Sequence, residues 1–170
     1  MSLESNTYRQ SWAAWLPGAL PLLEDAQYAD ALAAFPRPPA PDLAFLAAPP
    51  SERRRIAFVT SAGAYDTATQ APFVARSTIG DISTRVFPLD LPDERIAFTH
   101  GHYKQEHAEA DREVLLPRRS LEAAGGVLTS NVISYMGYNL DWPSFIESTI
   151  PQMIAQGRAD GANCALLVPV

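Results

Sequence analysis

The stretch that most restricts this chain is its last one. Ala162-Asn163-Cys164-Ala165-Leu166-Leu167-Val168-Pro169-Val170 is an uncharged, largely apolar run that follows a helical pattern closed by Asp160-Gly161. A run of this kind predicts a strand buried on both faces, as found inside a parallel sheet. In such sheets chemistry gathers just beyond the carboxyl ends of the strands, where loops and helix N-termini supply backbone N–H groups. A buried strand with no loop after it is an unusual end, because termini are commonly exposed and frayed.

From Arg55 onward the remaining pattern agrees. Ile56-Ala57-Phe58-Val59-Thr60 predicts a first strand, with Ser61-Ala62-Gly63 turning off its end. Asp81 to Pro88 alternates as a second strand, and Ile96-Ala97-Phe98-Thr99 is a third. Residues 66–80 between them look irregular. A short helix is expected over Arg118 to Ala124, then an extended piece from Val127 to Tyr138. A helix capped by Asp141 or Ser144 should run to Arg158, with Ile146, Ile150, Met153 and Ile154 on its core face and Pro151 kinking or shortening it. The fold class expected is therefore α/β, with an open, mostly parallel sheet flanked by helices.

Residues 1–50 read differently. Trp12, Trp15 and Leu16 fall at helical spacing, Pro17-Gly18 punctuates, and Leu22 to Phe35 is helical again. Pro36-Arg37-Pro38-Pro39-Ala40-Pro41 then lacks backbone donors and reads as an extended spacer. Residues 1–50 are thus an N-terminal helical arm and proline-rich linker, its tryptophans packing on the core, and residues 51–170 are the α/β domain. No internal repeat is evident.

Composition excludes several classes. Net charge is −6, and of the 13 basic residues only Lys104 is lysine, so no nucleic-acid partner is expected. Arg53-Arg54-Arg55 reads as a solvated strand entry. There is no run long and apolar enough for a membrane span and no signal-peptide pattern at the N-terminus, which points to a cytoplasmic protein without a membrane partner. Cys164, the one cysteine, excludes an internal disulfide and a cysteine-only zinc site. Set mid-strand, it reads as a small buried hydrophobe with a raised thiol pKa rather than a nucleophile.

The most chemically loaded segment is His100-Gly101-His102-Tyr103, followed by His107 and Asp111. An H-x-H pair after a strand points both imidazoles to one side. It can hold a metal, with a third ligand from Glu106, His107 or Asp111; it can move protons or bind an anion; or it can serve as structural hydrogen bonding. Ser61 and Gly63 offer a hydroxyl and N–H groups at the first strand end, without a dinucleotide fingerprint. Arg85 either grips a substrate carboxylate through its planar fork or pairs with a neighbouring Asp.

Six pieces in this order resemble the selenoprotein B family. They are Ile56 to Gly63, Gln70-Ala71-Pro72-Phe73, Gly80 to Val86, His100-Gly101-His102-Tyr103 with Asp111, Tyr135-Met136-Gly137-Tyr138, and Asp160-Gly161-Ala162 with Leu166 to Val170. That family comprises the substrate-specific subunits of glycine, sarcosine and betaine reductase and the selenocysteine subunit of D-proline reductase. The resemblance spans Arg55 to Val170 and leaves out the arm.

It implies an oxidoreductase component that cleaves a C–N bond of an amino acid or amine, with a dithiol/disulfide couple as redox partner. His100, His102 and Asp111 would be catalytic, and Ser61, Gly63, Arg85 and Tyr103 would bind substrate; no metal is assigned. The implied partners are a small amine or amino-acid substrate, other reductase subunits (pyruvoyl-containing ones among them), a thioredoxin-like donor and further copies in an oligomer. In the family a selenocysteine or cysteine, followed three positions on by cysteine, comes directly after the strand that here ends at Val170. Selenocysteine is encoded by a codon that otherwise means stop. The resemblance therefore implies a selenocysteine immediately after Val170, a domain incomplete at its carboxyl end, and a 170-residue chain inactive alone. The alternative is a non-catalytic binding module or inactive paralogue.

Overall fold

The computed structural model describes residues 3–38, 49–101, 106 and 110–170. It is an α/β protein with a mostly parallel sheet, helices packed on it and a helical arm at the N-terminus. Among the described residues six strands form: β1 (Ile56–Thr60), β2 (Ala64–Asp66), β3 (Thr84–Pro88), β4 (Ile96–Phe98), β5 (Leu128–Tyr135) and β6 (Cys164–Val168). The main sheet has the order β3-β5-β1-β6. Strand β1 is its axis, parallel to β5 on one side and to β6 on the other, while β3 runs antiparallel along β5. Strand β4 is not a member. It pairs antiparallel with β2 in a separate two-stranded ribbon, so Ala64 to Asp66, expected to be irregular at its end, belongs to a strand.

Period-two alternation along β1 sorts its side chains onto two faces. Phe58 packs with Val132 of β5, Phe87 of β3, Ala64 and Ile96 of the ribbon, and Leu91 and Leu116 from the connections. The ribbon thus serves as a lid of one face. Ala57 and Val59 face the helical layer, where Gly157 lets the helix backbone approach Ala57.

That helical layer is α4 (Trp142–Ser144), a π-helical turn over Phe145–Thr149, and α5 (Ile150–Ala159). Asp141 caps it, accepting the Ser144 N–H at 3.2 Å. Pro151 does not kink a regular helix. It sits in the first turn of α5, directly after the π-helical segment, where its missing N–H is tolerated. Pro143, Phe145, Thr149 and Gly157 are the buried positions of this layer, and Ile154, expected in the core, is half exposed. Between α5 and the sheet lies a groove of about 540 Å³, apolar along Val59, Ile150, Met153, Ala165 and Leu167.

The expectation for the last strand needs correction. β6 does lie parallel in the sheet, but at its edge, and it is not buried on both faces: Leu167 is 68% exposed and Ala165 is exposed beside it. Only Leu166 and Val168 turn inward, Val168 against the core. Cys164 is accordingly half-buried rather than enclosed, its Sγ 3.6 Å from the Arg55 carbonyl oxygen.

The arm also differs. α1 (Leu3–Glu24) continues through Pro17-Gly18, where a break was expected, and through Pro21, before α2 (Tyr28–Ala33). Each interior proline removes one backbone donor. Burial of Ala19, Leu23 and Ala31 against Leu140 opposes that cost. Trp12 ties the arm to the domain, its Nε1 donating to the Leu140 carbonyl (2.7 Å), while Trp15 joins α1 to α2 within the arm, its Nε1 donating to the Ala31 carbonyl (2.9 Å). Residues 39–48 of the linker lie outside the described residues, as does most of the proline run's second half.

The turn after β2 is organised by Asp66. Its carboxylate accepts from the Thr69 hydroxyl (2.7 Å), the Ala68 N–H (3.1 Å) and both a guanidinium Nε and NH2 of Arg95. The Thr69 hydrogen bond first, then Ala68 and Arg95, hold its pKa below the usual carboxylate value. A depressed folded pKa stabilises the protein above the unfolded carboxylate value, about 3.9, and that stabilisation is lost as pH falls through the folded one. Asp66→Asn should therefore lower the urea midpoint at pH 7, and the gap to wild type should close as pH drops below about 4. A gap constant from pH 7 to pH 3 would contradict this role.

Candidate functional site

The carboxyl ends of β1, β5 and β6 meet at one crevice, the place where parallel sheets present ligands. Ser61 leaves β1 there, buried. Its N–H donates to the Val168 carbonyl (3.1 Å), its carbonyl accepts from Gly137 (2.9 Å), and its Oγ accepts the Val170 N–H (2.9 Å). Tyr135 ends β5, and both it and Ser61 line the same pocket at this crevice. Burial raises the Tyr135 pKa above 10, with the Ser61 side chain opposing, so the phenol keeps its proton throughout the neutral range.

His100, 6% exposed, approaches from the loop after β4. A Cβ placed on Gly137 would lie 3.2 Å from Ser61 Oγ and 3.3 Å from His100 Nε2. A hydroxyl and an imidazole thus converge over a residue whose missing side chain lets them do so. Beside them is a pocket of about 230 Å³ walled by Tyr135, Trp142 and Phe145, with Pro169 and Val170 along its rim. The rings lean on one another, with centroids 5.3 Å apart for Tyr135–Phe145 and 5.7 Å for Trp142–Phe145. Asn139 also lines it, 7% exposed; Oδ1 accepts from the Asp141 N–H at 2.9 Å, and Nδ2 has no partner among the described residues. A buried donor of this kind asks for a water or ligand acceptor.

Other expected site residues lie elsewhere. Gly63 shares the Ser61 loop, but its N–H donates to the Tyr135 carbonyl (2.9 Å), and the Ala62 N–H to Thr60 Oγ1 (3.2 Å). The N–H groups of 61–63 are therefore engaged within the fold and are not an anion cradle; Gly63 is needed for its backbone. Arg85 is on β3, its Nε and NH2 donating to the carbonyls of Ala71 and Pro72, its NH1 to Ser83 Oγ and the Thr84 carbonyl, its guanidinium over the Phe73 ring at 4.3 Å. It clamps the loop before β3, and none of these hydrogen bonds goes to an Asp. Asp81 works through the same clamp. Burial would raise its pKa, but Ser83, the Val74 N–H and Arg85 outweigh that and hold it low.

Asp111 is exposed and caps a 3₁₀ turn, Arg112–Val114, by accepting the Glu113 N–H at 3.0 Å. No contact joins it to the crevice among the described residues. His102, Tyr103 and His107 lie outside the described residues, and among those that are described no three His, Cys, Asp or Glu side chains cluster as metal ligands. Cys164 is at the far end of the sheet. It pairs with Ile56, whereas Thr60 pairs with Val168, four positions or about 13 Å along the strand at ~3.3 Å per residue.

Sequence reasoning brought Ser61 and His100 to one place and missed Tyr135, Gly137 and Asn139. Their signal was present in Tyr135-Met136-Gly137-Tyr138, a strand-ending aromatic and a glycine at the point of closest approach. Comparisons with protein-family models, curated proteins and solved structures find no match to this chain. No described helix is long and apolar enough to cross a membrane.

Proposed function

We propose that this chain is a selenoprotein B-like component of a reductase that cleaves a C–N bond of an amino acid or amine. The observation that carries the reading is the course of the backbone after β6. It runs into the crevice with the Val170 N–H on Ser61 Oγ, so the next residues in the chain direction are delivered beside Ser61, His100 and the protonated Tyr135. The resemblance assigns that position to the selenol or thiol. The aromatic wall of Tyr135, Trp142 and Phe145 suits the electron-poor face of an amine or ammonium.

In the reaction the substrate C–N bond breaks, the carbon gains a hydrogen and the amine leaves with another. The two electrons come from the selenol and its partner thiol, which pass to a selenenyl-sulfide and are restored by an external dithiol. His100 and Tyr135 would supply and recover the protons. Cys164 cannot serve at this crevice, being at the opposite strand end.

The test has two parts. The reading frame after Val170 must encode selenocysteine or cysteine with a cysteine three positions on, and a frame without it removes the reading. The chain carrying that pair, assayed with partner subunits and dithiothreitol, should release ammonia or amine from glycine, sarcosine or glycine betaine, or open the ring of D-proline to 5-aminovalerate. His100→Ala should lower kcat/KM by roughly 10²- to 10⁴-fold with folding retained. Unchanged rates in that variant would take His100 out of the mechanism.

A further inference from the structure

Arg85 directs its donors to its own loop, and other cations of the fold are placed differently. Among the described arginines, Arg9, Arg95, Arg118 and Arg119 are in ion pairs, and Arg54, Arg85 and Arg112 donate to backbone carbonyls. Arg37, Arg53, Arg55 and Arg158 have no side-chain partner among the described residues, but none of them lines the cleft at Arg76. Arg76 makes no hydrogen bond or ion pair with any described residue. It lines a polar cleft of about 470 Å³ on the other side of the segment that carries Gly137.

The cleft is built by three parts of the chain. Arg76 stands on a tight turn fixed by the Ala75 N–H on the Phe73 carbonyl (3.0 Å) and the Ser77 N–H on that of Val74 (3.0 Å). Gly101, next to His100, and Tyr138, whose hydroxyl donates to the Thr78 carbonyl (2.8 Å), form the floor. The opposite wall comes from the N-terminal arm, with Glu24 at the end of α1 and Tyr28 at the start of α2. Glu24 also makes no ion pair or hydrogen bond among the described residues. A guanidinium and a carboxylate thus line one polar cleft, each without an ion-pair partner among the described residues.

We propose that this cleft is a binding site for a small carboxylate, with Arg76 as its cation and the arm as its second wall. A guanidinium presents a planar donor fork that matches a carboxylate. Glu24 across the cleft favours a ligand that is positive at its other end and disfavours a second negative charge. The arm is then part of the ligand site rather than only a strap on the core. The site is separate from the Ser61–His100 crevice and does not rest on the reductase reading.

The experiment is an NMR titration of the 170-residue chain, which reads binding without turnover. The probes are acetate, glycine betaine, and choline, the last differing from betaine in lacking the carboxylate. Acetate and betaine should bind in the millimolar range and shift resonances of Arg76, Gly101 and Tyr138, while choline should not. Arg76→Gln, at unchanged thermal stability, should weaken both by about tenfold or more. Arg76→Lys should recover part of that loss, and Glu24→Gln should weaken betaine but not acetate. Affinities within twofold of wild type in Arg76→Gln, equal binding of choline, or no binding of acetate and betaine up to about 50 mM would each overturn the site. A negative reductase assay alongside Arg76-dependent acetate binding would sink the proposed reaction and leave this site standing.

Discussion

Gly63→Ala is expected to lower the unfolding free energy by about 4 kcal/mol, among the largest losses any single methyl can cause in this protein. Two effects combine. Gly63 has φ of 66°, a left-handed backbone that costs an L-residue about 1–2 kcal/mol. A Cβ there would also fall inside van der Waals contact of the Thr99 carbonyl oxygen, a rigid backbone atom. Relief requires moving the loop, which breaks the Gly63–Tyr135 and Thr99–Gly63 hydrogen bonds (both 2.9 Å), each worth about 1 kcal/mol. Urea unfolding gives the number directly, and a loss below about 1 kcal/mol would show that the loop has another conformation. The same displacement bears on function. Thr99 precedes His100, so the variant should shift the imidazole from its place over Gly137 even where enough folded protein remains to assay.

That coupling explains how much of the molecule could be read in advance. β1 was legible because five residues without charge, followed by Ser-Ala-Gly, fit only a buried strand and its exit. Ser61 and His100 were legible for the same reason, since position after a strand is a local property. Arg85 and Asp111 were not. Their partners are the carbonyls of Ala71, Pro72 and Thr84 and the N–H of Glu113, backbone groups that every sequence contains and no motif marks. Pro17-Gly18 misled for a related reason: helix propensity argued for a break, while the burial of Ala19 and Leu23 under Leu140 is a tertiary fact. Arg76 drew no attention because it lies in a stretch without periodicity, and its significance rests on what fails to pair with it.

The last strand poses the sharpest case, and a pair of substitutions resolves it. An apolar run states that a strand avoids water somewhere, but it does not state on how many sides. Phe58 at the centre of β1 has no exposed surface and touches the core from the ribbon to Leu116, so Phe58→Ala should cost about 4 kcal/mol. Leu167, on β6 one strand away and paired with Val59, is mostly in water. Leu167→Ala should therefore change stability by no more than about 0.5 kcal/mol. The comparison is made at equal low protein concentration by urea unfolding. If Leu167→Ala cost several kcal/mol instead, the groove between α5 and β6 would have to be covered in solution, and the loss would then depend on protein concentration as assembly requires. With Leu167→Ala near neutral and Phe58→Ala severe, the chain stands as a sheet closed along its core and open along β6. In that arrangement the strand leading to Ser61 is anchored by its neighbours on one face, and the edge beside it stays free.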